Sequence, residues 1–147
     1  MATSAGNGGP GASTTAKHAP WYTAVAASEH GREINYDKGI GDFSGGDAAL
    51  EDMTGVSNSG AITASIVYAG DFANANDPDG DPAQCLQPFP ADTFSGEIVV
   101  CDRGAIARVQ KAQNVADGGA SGYVLANLDG GAASLNSDVY VVPGIHI

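Results

Sequence analysis

GEIVVCDRGAIARVQKAQNVADGGASGYVLAN, residues 96–127, is the stretch on which the fold of this chain depends. It opens with an apolar run at 98–100, which is typical of a strand. Apolar residues then recur at spacings of three and four over residues 105–117, which predicts an amphipathic helix ended by two glycines. A second apolar run follows at 123–126. Because a helical crossover joins the two runs, we expect two parallel strands.

Other segments have the pattern of strands. Residues 61–69 alternate, with Ile66 and Tyr68 on one face and Val67 on the other, which indicates a strand with one buried face. We expect Ile66 and Val67 to join a core with residues 99, 100, 124 and 125. Further strands are predicted at 21–27, 32–36 and 139–142, a turn at 39–41, and either half a helical turn or an edge strand at 48–53. The predicted fold class is α+β, mostly β: a β-sandwich or open barrel with one main helix.

The composition excludes several classes of partner. The 147 residues carry 6 Lys and Arg against 17 Asp and Glu, a net charge of −11. A nucleic-acid binder or a protein docked on an anionic membrane would need a basic surface, so neither partner is expected. The sequence has no apolar run near the roughly 20 residues of a spanning helix. No apolar signal region follows the first residues, and we therefore expect a piece of a longer protein.

The central stretch resembles the core of a protease-associated (PA) domain, a domain inserted in secreted subtilisin-like (subtilase, peptidase S8) serine proteases. Its GEIVVCDRG at 96–104 is similar to that family's GKIVLCDRG, and its GGASGYVLAN at 118–127 to GG–GVILAN. The closing VPGIHI at 142–147 resembles the family's LPAVHI. Glu97 departs from the family's common Lys. The resemblance implies a swivelling β/β/α fold and a secreted, extracellular protein.

The first part of the chain resembles a different domain of the same proteases. SAGNGGP at 4–10, APW at 19–21 and AVAAS at 24–28 are similar to the oxyanion-loop region and following strand of the catalytic domain. The resemblance thus implies two pieces, a catalytic-domain fragment at 1–31 and a PA domain at 32–147. It also makes Asn7 the counterpart of the oxyanion-hole donor, which stabilises negative charge during acyl transfer. The alternative is that Asn7 serves only a tight turn.

No nucleophile, base or acid motif accompanies Asn7, so this chain is not expected to be an enzyme on its own. Of the three histidines, His18 and His30 lie in polar loop contexts and should be solvated. His146 alternates with Ile145 and Ile147 in the last apolar run, which predicts that it points outward.

Cys85 and Cys101 are the two cysteines of the chain, and two thiols cannot supply the four ligands of a structural zinc site. They are either a disulfide or two buried thiols. The extracellular setting that the resemblance implies favours the disulfide.

Residues 71–91 are rich in Asp, Asn and Pro, which predicts a solvated loop too polar to pack. Asp77, Asp79 and Asp81 occupy alternate positions, where oxygen ligands can wrap calcium, but the EF-hand pattern is not met. An acidic solvated loop is the preferred interpretation, and no metal or other cofactor is expected.

The resemblance implies a non-catalytic interaction module that recruits protein substrates or controls their access. Its partners would be protein or peptide substrates and the catalytic domain of the parent protease. The candidate contact residues are Asp77, Asp79, Asp81, Asp102, Arg103 and Arg108, with local ion pairs as the alternative for the two arginines. Two other functions remain open: a structural brace or dimerisation domain, and a part of the active site through Asn7.

Overall fold

The computed structural model describes residues 1–8, 11–26, 37–46 and 50–147. These belong to two compact units, Met1–Ile34 and Asn35–Ile147. In the first unit, β1 (Ala2–Ser4) and β2 (Thr23–Val25) form a two-stranded parallel sheet. The strand predicted at 21–27 is therefore present but shorter. The strand predicted at 32–36, the boundary predicted at 31/32 and His30 lie outside the described residues.

The second unit is built on a six-stranded mixed sheet with the order β3-β4-β8-β7-β6-β5. Strands β5 to β8 run parallel to one another, and β4 is antiparallel to both β3 and β8 at one side of the sheet. The strands are β3 (Asp37–Ile40), β4 (Met53–Val56), β5 (Ile66–Tyr68), β6 (Ile98–Asp102), β7 (Gly122–Ala126) and β8 (Gly144–His146). With one α-helix among the described residues, the α+β, mostly β class is confirmed.

Helix α1 (Arg108–Asp117) connects β6 to β7, as the sequence predicted, but it begins three residues later than expected. Ala107 is extended, with ψ of 135°, and no side chain caps the helix start. At the other end, Gly119 adopts φ of +99°, and a Cβ there would lie 2.4 Å from the carbonyl oxygen of Phe94. Glycine is required at this position because of both the left-handed backbone and the close approach.

The hydrophobic core lies between α1, one face of the sheet and the 71–94 region. Alternate residues of β6 and β7 enter it, together with the inner side of α1 and two phenylalanines whose ring centroids are 5.0 Å apart, Phe89 and Phe94. Its fully buried members include Val99, Cys101, Ala112, Val115 and Leu125. The period of two in the strands therefore determines which residues are in the core.

The opposite face of the sheet is more open, and this corrects the expectation for Ile66. Val67 packs against the core, whereas Ile66 is 36% exposed and Val100 is only partly buried. The strand begins at Ile66 rather than at 61. Farther back in the chain, Ser57 Oγ donates to Gly144 O at 2.6 Å, and Gly144 N donates to Ser59 Oγ at 3.1 Å.

Three strands were missed or misplaced by local pattern. The turn predicted at 39–41 is wrong for its first two positions, since Gly39 and Ile40 pair with Thr54 and Met53. The strand predicted at 139–142 is also wrong: the residues have no ladder partners, and β8 begins only at Gly144. In the segment predicted at 48–53, β4 begins at the last residue, and 47–49 are not described. The bounds of β3, β4 and β8 follow from pairing with residues distant in sequence, whereas residues 139–142 take part in no ladder.

Candidate functional site

The disulfide predicted between Cys85 and Cys101 is confirmed. The two sulfurs are 1.98 Å apart, the Cα atoms 6.0 Å apart, and both side chains are fully buried. Cys101 lies in the central strand β6, while Cys85 ends a 3₁₀ turn, Pro82–Gln84, with φ of 49°. The bond therefore ties the middle of the 71–91 loop to the centre of the sheet.

Two polar side chains of α1 hold the same loop from the other side. Lys111 is fully buried and its Nζ donates to the carbonyl oxygen of Gln84. Burial lowers the pKa of this ammonium group. Asn114 Nδ2 donates to Cys85 O at 2.8 Å, and its own carbonyl accepts the Phe89 amide at 3.0 Å. These bonds use backbone groups that would otherwise be buried without partners.

The expectation that residues 71–91 are too polar to pack is wrong. Asn74 is 4% exposed and its Nδ2 donates to Gln87 O at 3.0 Å, while Asn76 Nδ2 donates to Pro88 O at 2.9 Å. Phe89 is 2% exposed in the core. The asparagines bond to backbone carbonyls of their own loop, and the loop folds back on itself as a compact structure.

The three aspartates at alternate positions lie along the outer side of this loop. Asp79 and Asp81 are exposed and Asp77 is partly buried. One carboxylate oxygen of Asp81 accepts the Ala83 amide at 3.0 Å, which caps the 3₁₀ turn. Over the ranges that the structure describes, no three His, Cys, Asp or Glu side chains converge as a metal site would require. The calcium hypothesis thus has no geometric support in these residues.

The residues predicted at 102–108 lie where β6 ends and α1 begins. Asp102 Oδ2 accepts a bond from the Tyr68 hydroxyl at 2.9 Å. Arg103 donates to Asn127 Oδ1 at 3.0 Å and to Ser134 O at 2.5 Å. These bonds attach Arg103 to the segment that follows β7. Asp102 and Arg103 lie together at the C-terminal end of β6.

Arg108 forms an ion pair with Asp138, with Nε donating to Oδ2 and NH2 donating to Oδ1 at 3.2 Å. The hydrogen bond to Asp138 raises the pKa of the guanidinium group. Arg108 therefore forms a local ion pair, as the alternative interpretation held, whereas Arg103 donates to neutral groups of the chain. Their role in contacts with another protein stays a prediction.

His146 is buried, and the prediction that it points outward is wrong. Its exposed fraction is zero, it pairs with Leu125 in the β7–β8 ladder, and its ring contacts Asn136 and Asn127. Alternation along the last strand could not predict this burial, because the segment that contacts His146 through Asn136 has no regular structure. Lys111 and Asn114 were missed because the predicted apolar face of the helix included Val109, which is 44% exposed, whereas the buried face carries Lys111 and Asn114.

Asn7 lies in the first unit, in the loop after β1, and its side chain is exposed. Gly6 before it has φ of +93°, and Ala16 N donates to Ala5 O at 2.7 Å, which closes the loop. The tight-turn interpretation stays a prediction, because Gly9 of the Asn-Gly-Gly sequence lies outside the described residues. The oxyanion role stays a prediction, because it concerns groups outside this chain.

A groove of about 250 Å³ lies on the open face of the sheet in the second unit. Side chains from β3, β5 and β6 line it together with residues between β3 and β4, among them Ile40, Phe43, Met53, Ile66, Tyr68 and Val100. Tyr68 is 41% exposed and Leu50, also in the lining, is 59% exposed. We call these residues the apolar groove.

None of the helices in the described ranges has the length and apolar character needed to cross a membrane.

Comparison with known proteins points to one family. The model of the PA domain matches residues 62–147. The subtilisin-like protease SBT1.7 of Arabidopsis thaliana is 33% identical over an alignment of 145 residues, and the match covers 95% of this chain and 18% of the relative. From the same plant, SBT1.4 is 34% identical over 143 residues (95% and 17%), and SBT1.5 is 31% identical over 155 residues (100% and 19%). The chain thus spans less than a fifth of the length of these relatives.

Proposed function

This chain belongs to the PA domain family, and we propose that it is the non-catalytic interaction module of a secreted subtilisin-like serine endopeptidase, where it governs the recruitment or access of protein substrates. Three features support the proposal: the family, the names of the relatives, and the hydrogen bonds of His146, a buried histidine of the second unit. Both ring nitrogens of His146 are bonded to asparagines. It therefore cannot act as the base of a serine nucleophile.

The observation that carries the proposal is the fixed geometry of the acidic loop. A disulfide, the Lys111 ammonium and the Asn114 amide anchor its inner side. Asp79 and Asp81 face solvent on its outer side. A surface ordered before binding loses less conformational entropy on association, so such a loop is suited to contact another protein. Its charge favours a basic face on the partner.

The residues at the end of β6 extend this proposed contact surface. Asp102 is half-buried beside the exposed Tyr68, and Arg103 and Arg108 lie next along the chain. Protein or peptide substrates and the catalytic domain of the parent are the proposed partners. Secretion to the extracellular space is consistent with the buried disulfide, since such bonds persist in oxidising compartments.

A second candidate function is a structural brace or dimerisation domain, and the apolar groove favours it. Ile66 and Tyr68 in the groove are 36% and 41% exposed. Burial of these side chains against another part of the parent would stabilise both this domain and that part. A third, participation of Asn7 in the active site, is specific to the first unit. A role of Asn7 in the active site would not require any contact of the second unit with substrates.

Reversal of one charge on the acidic loop tests the proposal. In the parent protease, Asp79→Lys is expected to lower kcat/KM on a folded basic protein by about threefold to tenfold, because rim charges act mainly on encounter rates. The value for a short neutral peptide should not change. Asp129→Lys, at another exposed aspartate in a different loop, is the matched control. Equal effects of both variants, or an equal effect of Asp79→Lys on both substrates, would contradict the proposal.

A further inference from the structure

The imidazole of His146 lies in a closed site where each ring nitrogen has one partner. The side chain has no exposed surface. The backbone N–H of Asn136 donates to Nδ1 at 2.9 Å, and since an amide N–H cannot accept, Nδ1 carries no proton. Nε2 must therefore carry the proton, and it donates to Asn127 Oδ1 at 3.0 Å. One neutral tautomer satisfies both partners.

The charged groups around this ring disfavour a second proton. Arg103, from the β6–α1 connection, bonds to the same Asn127 oxygen at 3.0 Å, and Arg108 of α1 lies beyond it. Asp138, in the segment between β7 and β8, acts in the opposite sense but is paired with Arg108. Burial and the charge of Arg103 together lower the pKa of His146. The neutral ring is thus the form that the native structure holds.

The partners of His146 also hold the segment between β7 and β8, residues 128–143, which we call the 128–143 segment. Asn136 belongs to it, Arg103 bonds to its Ser134, and Arg108 to its Asp138. Residues 128–135 are exposed and have no regular structure. The segment has no strand or helix of its own. These side-chain contacts therefore position its first part, up to Asp138, whereas Tyr140 and Val142 pack in or against the hydrophobic core at its end.

We propose that His146 is an acid-sensitive lock that holds the first part of the 128–143 segment, up to Asp138, against the sheet while its ring is neutral. A proton on Nδ1 turns the acceptor of the Asn136 N–H into a second donor, so the bond is lost and two donors face each other. Opening of the segment returns the ring to water. This lock goes beyond the proposed function and does not depend on it.

The sign of the effect follows from the lowered pKa. The open form has the ordinary histidine pKa of about 6.5, so the open form binds the proton at a higher pH than the closed form does. The closed form is therefore fully favoured above about pH 6.5. Below it, the opening constant rises about tenfold per pH unit until the lowered pKa of the closed form is reached.

Amide hydrogen exchange of the full chain between pH 7.5 and 4.5, corrected for intrinsic exchange rates, tests the lock. Protection of Asn136 and its neighbours in the 128–143 segment should fall about tenfold per pH unit below 6.5. Amides of β6, Ile98–Asp102, should keep their protection and serve as the internal reference. Unchanged protection of the segment, or a loss that β6 shares equally, would overturn the proposal.

His146→Gln is the matching variant, because a glutamine amide can both accept and donate but does not titrate near neutral pH. Its segment should show no pH dependence, whereas His18→Gln, at an exposed histidine of the first unit, should behave as wild type. If His146→Gln does not fold, the ring titration of wild-type His146 followed by NMR decides. A ring midpoint clearly below pH 6.5, where the loss of protection levels off, supports the lock, and a midpoint at or above pH 6.5 overturns it.

Discussion

Replacement of Cys85 and Cys101 by alanine is expected to lower the free energy of unfolding of the second unit by about 3 kcal/mol, the loop-entropy value for a closed loop of about 15 residues. The separation here is 16 residues. The bond fixes the acidic loop to β6. Its loss should therefore loosen the loop more than the change in the free energy of unfolding alone suggests. Urea unfolding followed by far-UV circular dichroism measures the change. Trp21 fluorescence is unsuitable, because Trp21 lies in the first unit.

Reduction of the wild-type protein provides the matched control for the cysteine pair. A reductant should bring wild type close to the stability of the double variant and leave the double variant unchanged. Amide hydrogen exchange of the reduced protein can be followed in parallel. Amides of residues 82–89 should lose protection more than those of β7. Equal stability of wild type and double variant under oxidising conditions would show that the bond does not stabilise this unit.

Leu125→Ala is expected to cost about 2–5 kcal/mol of unfolding free energy, the range for removal of a fully buried leucine side chain. Leu125 has no exposed surface and lies in β7 opposite Cys101 of β6 and His146 of β8. Its truncation leaves a cavity between the central strands and α1. The spread within this range depends on how far the neighbours can move into the space.

Leu128→Ala is the matched control, three residues along the chain and 44% exposed. Its cost should stay within about 0.5 kcal/mol, as for surface positions without a special role. Both variants are measured by urea unfolding under the same conditions. Similar losses for the two would mean that the core is not where the structure puts it.

The central strand–helix–strand unit could be predicted because its signals are local. The apolar runs at β6 and β7 and the three-and-four spacing of α1 each lie within a few residues. The disulfide followed from the count of two cysteines together with the family resemblance. In contrast, β3 and β4 depend on each other across a connection of more than ten residues, and β4 meets β8 through Val56 and His146. No local pattern records such partners.

The candidate site was predicted in part. The acidic loop and the arginines after β6 were singled out, but the polar composition of the loop concealed how it packs. Asn74 and Asn114 bond to backbone carbonyls instead of water. Their burial depends on carbonyls up to 29 residues away in sequence. The same holds for His146, whose burial depends on an irregular segment that periodicity cannot place.

The most direct test of the account compares the parent protease with a version in which residues 37–147 are replaced by a short Gly-Ser linker. The measurement is kcat/KM on a folded protein substrate and on a short peptide, with the melting temperature recorded alongside. The account predicts that kcat/KM changes for the folded protein and not for the peptide, because the module controls access and takes no part in the chemistry. Parallel changes for both substrates would contradict it. Unchanged kcat/KM for both with a lower melting temperature would also contradict it and would assign the domain to the brace function.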